Sequence, residues 1–277
     1  MFKPESTLVN LAKRRYRIAE VDLVVEAPMG LLRILDLSMS RVPFSKESID
    51  LLSIVVTISA NGWTLSGTTP TNTRLVPSDA PMPDLAGAVL SAIIDEVSVR
   101  TRLTPLRAIV VERDGMALGL GGSNWEVAMT IAAHLNTRGW RLMTGCYSFI
   151  DCDTLEVDAC PRLLFVTTHS LEGMPTAYRA ILERSPWYSR NASIAFYAVD
   201  PAVVLGTGAW SDRGKLRALV ETDIGTATEV VPIDLSDIGS WVGAPRESLS
   251  QVNFGRISSK HPITAANAIE RWFKHLA

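Results

Sequence analysis

Between Leu106 and Ile150 the residue pattern passes from strand-like to helix-like spacing and back, and this alternation constrains the fold more than any other stretch. The run Leu106 to Val111 is rich in β-branched residues, the mark of a strand buried on both faces, and Asp114-Gly115 turns it into Met116 to Leu120 as a hairpin. After Gly121-Gly122 the residues Val127, Ile131 and Leu135 recur every fourth position, so Glu126 to Thr137 reads as a helix with one apolar face, ended by Gly139. Arg141 to Met143 and Tyr147 to Ile150 again read as strands. Strand, helix and strand in this order specify an α/β domain. The Arg107 to Val111 strand, the helix and the Arg141 to Met143 strand are then expected side by side, with Gly122 close to Gly145.

The flanking regions are plainer. Val21 to Glu26, Leu51 to Ser59 and Trp63 to Ser66 are strand-like, the last two joined by the hairpin signal Asn61-Gly62. Gly67 to Pro83 reads as an irregular connection. From Asp84, read as a helix cap, Leu85, Val89, Ile93, Ile94 and Val97 make a helix with an apolar face. Farther on, Met174 to Glu183 reads as a short helix, and Ser193 to Val199 and Leu216 to Glu221 as strands. Ile263 to Leu276 is an amphipathic terminal helix carrying Ala266, Ile269, Phe273 and Leu276 on one side. These patterns divide the chain into an amino-terminal region, 1–83, whose role has no signature, and an α/β domain, 84–277.

Composition narrows the classes of function. The 277 residues are 47% hydrophobic and 20% charged, enough for a substantial core, and a formal net charge of -2 supplies no basic field for nucleic acid or anionic lipid. No apolar run is long enough to span a bilayer as a helix, and Lys13, Arg14, Arg15 and Arg17 lie among polar residues, unlike a secretory signal. A cytoplasmic protein with neither a membrane nor a nucleic-acid partner is expected. Cys146, Cys152 and Cys160 are odd in number and lack paired zinc spacing, so no metal is expected; a redox or metal site would need all three to converge.

The segment Leu106-Arg107-Ala108-Ile109-Val110-Val111-Glu112-Arg113-Asp114-Gly115 resembles the L-H-A-A-V-V-E-R-D-G pattern of HPr kinase-related proteins. Arg138-Gly139-Trp140-Arg141-Leu142-Met143-Thr144-Gly145-Cys146 resembles their R-G-W-R-L-L-S-D-D strand. Asp151-Cys152-Asp153-Thr154-Leu155-Glu156-Val157, Pro161-Arg162, and Val199 to Val220 follow in the family's order. The resemblance, over roughly residues 84–240, implies an HPr kinase-like P-loop core with a mixed sheet, beside a smaller mixed α/β amino-terminal region. It also implies where the family's phosphate loop, G-x-x-G-x-G-K-S-T, would fall: Gly122, Ser123, Asn124, Trp125, Glu126, Val127, Ala128, Met129 and Thr130.

In that alignment the residues that phosphoryl transfer requires are missing. A Walker loop needs glycines that let backbone N–H groups surround the phosphates, a lysine to neutralise them, and a hydroxyl for magnesium. Trp125 and Val127 replace glycines, Ala128 replaces the lysine, Met129 replaces the hydroxyl, and Glu126 brings in a negative charge; Thr130 alone keeps a hydroxyl. Gly145 and Cys146 stand where the family has its acidic pair, and Arg107 where it has a histidine. No lysine occurs from Gly87 through Gly214, so a shift in register does not restore one.

The expectation is therefore a pseudokinase-like protein with no catalytic residues and no cofactor, acting by association with a protein partner or a second copy of itself, with Asn124 and Trp125 as candidate contacts. The alternative is an ATP-dependent serine phosphotransferase of the same family with a non-standard site, drawing on Asp151, Asp153, His169 or Arg107.

Overall fold

The structure, a computed structural model, describes residues 11–18, 21–39, 51–59, 62–67, 73–80, 82–101, 103–145, 147–158, 164–185, 187–191, 194–237 and 246–276. It is mixed α/β, and it divides into two compact units, Met1–Thr101 and Arg102–Ala277.

The first unit contains β1 (Leu11–Ile18), β2 (Val21–Pro28), α1 (Met29–Met39), β3 (Leu51–Ser59), β4 (Gly62–Ser66), β5 (Thr73–Val76) and α2 (Met82–Arg100). The strands form one sheet in chain order, antiparallel except for the parallel pair β2 and β3. Three expectations change here. β5 lies inside the stretch read as irregular; it is short, alternates exposed and half-buried, and so carries little apolar signal. Helix α2 begins at Met82, which puts Asp84 in its first turn rather than at its cap. The apolar face of α2 buries Leu85, Val89, Ile93 and Val97 and packs against α1, β3 and β4, so the division between the units falls after Thr101 and not at residue 83.

The second unit contains β6 (Leu103–Leu106), β7 (Ile109–Arg113), β8 (Met116–Gly121), α3 (Trp125–Asn136), β9 (Arg141–Thr144), β10 (Ser148–Asp151), β11 (Glu156–Asp158), β12 (Leu164–Thr167), α4 (Thr176–Leu182), β13 (Trp187–Asn191), β14 (Ile194–Val199), α5 (Pro201–Leu205), β15 (Arg213–Asp223), β16 (Val231–Pro232), β17 (Asn253–Ser258) and α6 (Pro262–Lys274). Its main sheet runs β6-β10-β11-β15-β8-β7-β9, with β17 and then β16 added beside the second half of β15; β12, β14 and β13 form a smaller sheet. The strand read as Leu106 to Val111 is two strands. The chain breaks at Arg107-Ala108 because it changes neighbours, β6 pairing with β10 while β7 pairs with β8 and β9.

β7 is buried on both faces, Ile109 and Val111 entering the core beneath α3 and Val110 the core on the other side. Asp114 and Gly115 both have positive φ, 55° and 80°, the requirement of a type I′ hairpin turn. The turn is held by Glu112, which accepts from the Gly115 N–H at 2.6 Å and pairs with Arg141 at 2.6 Å. Helix α6 lays Ala265, Ala266, Ile269 and Phe273 against α3 and the shared core, so the terminal helix docks on its own unit.

Candidate functional site

Four parallel strands set the edge where the site would lie. β9, β8, β15 and β17 point the same way, and their carboxyl ends bring Thr144, Gly121, Thr222 and Ser258 to one side of the sheet. Open α/β sheets bind ligands at this edge. Gly122 and Gly145 both lie there, as expected, and so does Arg107, which is exposed just before β7. Gly122 has φ +125°, and a Cβ on it would lie 2.8 Å from the Thr222 carbonyl oxygen, so the position demands glycine whatever the loop binds.

The loop itself is occupied by its own side chains. Asn124 caps α3, its Oδ1 accepting from the Val127 N–H at 3.2 Å. Glu126, in the first turn of α3, accepts through Oε1 from the Thr167 hydroxyl at 2.8 Å. A carboxylate at this position is stabilised by the helix dipole. Thr167 also lies 3.0 Å from the Ser170 hydroxyl and accepts from its backbone N–H, which fastens the 3₁₀ turn Thr168–Gly173 near the helix start.

Ser123 is exposed, and the remaining residues of the loop point into the protein. Ala128 and Met129 are fully buried beneath the sheet, and Trp125 and Val127 are half-buried against the same core. Thr130, expected to keep a usable hydroxyl, is buried, and its hydroxyl donates to the Glu126 carbonyl at 2.7 Å. Its role is in its own helix. One turn on, His134 Nε2 lies 2.9 Å from the Gly173 carbonyl oxygen. Burial holds this imidazole below its ordinary pKa of 6.5; the carbonyl opposes the shift and Arg138 adds to it.

Gly145 is buried at the end of β9, and Cys146 and Cys160 lie outside the described residues. Cys152 stands in the turn after β10, its Sγ 3.3 Å from the Thr104 hydroxyl. Asp151 and Asp153 do not come to the Gly122 edge. Asp151 Oδ1 accepts from the N–H groups of Asp153 and Thr154 at 2.8 and 3.1 Å, which is turn formation, and Leu155 closes the turn at φ 62°. That turn sits beside Lys215, whereas Gly121 pairs with Glu221, about 20 Å farther along β15 at about 3.3 Å per residue. A polar cavity of about 660 Å³, lined by Cys152–Glu156, Lys215 and Glu247, belongs to this far edge. His169 is exposed in the 3₁₀ turn. Among the described residues no three His, Cys, Asp or Glu side chains gather as a metal site would require.

Sequence reasoning missed Thr167 and Ser170. Both follow Glu126 by more than forty residues, and no local pattern links a carboxylate to a hydroxyl at that separation.

A comparison with known protein families finds none that matches, and a comparison with curated proteins finds none either. Among solved structures, the HPr(Ser) kinase/phosphatase from Coxiella burnetii is similar over 62% of this chain and 97% of its own, at 10% identity and a TM-score of 0.37. A likeness at that level adds nothing to the argument from the residues, and the fold stands on its own description: mixed α/β, with mixed sheets.

Proposed function

We infer that the second unit is an HPr kinase-like scaffold that has given up phosphoryl transfer, and that the protein acts as a pseudokinase, by associating with another protein in the cytoplasm. The motif order from Leu106 to Val157 supports the scaffold. The observation that carries the loss of chemistry is Glu126: its carboxylate occupies the first turn of α3, bonded by Thr167, where a phosphate would have to sit. With no lysine in the loop and Ala128 and Met129 buried, no side chain of the loop offsets the repulsion between that carboxylate and a triphosphate.

The test is thermal. A ligand at 100 times its dissociation constant stabilises its protein by about 2.7 kcal/mol, a shift readily seen in a melting curve. Millimolar ATP with magnesium is expected to leave the melting temperature unchanged. A shift that needs both ATP and magnesium would contradict the reading. The competing reading, an HPr kinase-like phosphotransferase with non-standard groups, would turn to Asp223, which lies at the same strand edge and accepts from the Ile224 N–H at 2.8 Å. Nucleotide turnover abolished by Asp223→Ala would establish that reading in place of the first.

A further inference from the structure

Strand β1 ends the sheet of the first unit. β2 pairs with one side of it, and among the described residues no strand pairs with the other. An open edge offers a row of backbone N–H and C=O groups to any passing strand, and proteins commonly block it by shortening, proline, a bulge or charge. β1 has eight residues, no proline or glycine, and an unbroken register with β2 from Leu11 to Ile18. What it carries is charge of one sign: Lys13, Arg14, Arg15 and Arg17, with no acidic residue on the strand.

The charges reach both faces. Tyr16 and Arg14 contact Asp36 of α1, so even-numbered residues face the helices, and alternation sends Lys13 and Arg15 to the opposite face. Lys13 and Arg14 are exposed and each touches one carboxylate, Glu26 at 3.1 Å and Asp36 at 3.6 Å. Arg15 is exposed and, among the described residues, has no acidic partner.

Regular pairing along the strand allows main-chain recognition, and positive charge on both faces disfavours a second copy of the same edge. We propose that β1 is a docking edge for an extended acidic segment of a partner protein, which adds as a further strand with its carboxylates beside Lys13, Arg14 and Arg15. The proposal concerns the first unit alone and holds whether or not the second binds nucleotide.

The experiment uses the full chain and a fluorescein-labelled peptide of four Glu-Val repeats, followed by anisotropy. Saturable binding is expected, weakening by about tenfold or more as salt rises from about 50 to about 300 mM. The double variant Lys13→Glu/Arg15→Glu, checked by circular dichroism for an unchanged fold, is expected to lose about tenfold or more in affinity, because like charges placed side by side across strands repel. A peptide of four Glu-Pro repeats has the same charge but lacks half the N–H donors, and is expected not to bind. No binding of the Glu-Val peptide, equal binding of the Glu-Pro peptide or of a short oligothymidine, or unchanged binding to the variant would each overturn the proposal. If the double variant does not fold, Arg15→Glu alone makes the same comparison at an exposed position.

Discussion

Glu126 shows how one side chain changes what a helix end can do. The amino terminus of α3 offers free N–H groups and a positive dipole end, and the chain meets both needs internally, Asn124 by capping and Glu126 by charge. Replacing Thr167 by Val removes the donor from a half-buried carboxylate, and should lower stability by about 1–3 kcal/mol. The check is a urea midpoint that falls while the m-value holds; an unchanged midpoint would mean that water serves the carboxylate as well as Thr167 does. His134 adds a dependence on pH. Its folded pKa is depressed, so its contribution to stability is present above 6.5, the value it takes when unfolded, and is lost as pH falls from there through the folded value. Melting temperatures should decline more steeply between about pH 7 and 5 in the wild type than in His134→Gln, because the amide does not titrate. Equal slopes would refute the assignment to His134. The absence of lysine at Ala128 was legible in the sequence, but the partner of Glu126 was not, because contacts across the fold leave no trace in local spacing.

At the scale of the element, one carboxylate of α6 gathers donors from β7 and from the turn after α3. Glu270 accepts from Arg113 at 3.0 Å, from Arg138 at 3.1 Å and from the Trp140 indole N–H at 3.1 Å, while Phe273 meets Trp140 edge-on with ring centroids 5.0 Å apart. Glu270→Ala leaves the Trp140 indole without its acceptor and takes a carboxylate from two partly exposed arginines, of which Arg138 keeps Asn267 Oδ1 at 2.6 Å; it should cost about 1–3 kcal/mol, less than a fully buried pair would. Glu270→Gln keeps an oxygen for Trp140 and should cost less than Ala; equal losses would show that the charge, not the indole bond, does the holding. Elements with a chemical start and stop were read correctly, among them the Asp114-Gly115 hairpin and the α3 helix closed by Gly139 at φ +90°. Those defined by their neighbours were not. Nothing in Arg107-Ala108 announces that the strand changes partner there, and nothing in Asp151 to Asp153 separates a pair of acids from an Asx turn.

At the scale of the whole molecule, the two hydrophobic clusters found among the described residues of the second unit are drawn from its own chain. A fragment of residues 102–277 should therefore unfold in urea as one cooperative transition. A broad transition would sink this. Strand order adds a consequence in time. β8, at residues 116–121, lies between β7 and β15, and β15 begins only at Arg213. A ribosome adds about 5–20 residues per second, so for roughly 5–20 s after β8 emerges its inner edge has no native neighbour to pair with. During that interval the buried strand of the finished protein is an apolar template open to the wrong chain, so the yield of folded protein is expected to fall as nascent copies crowd together.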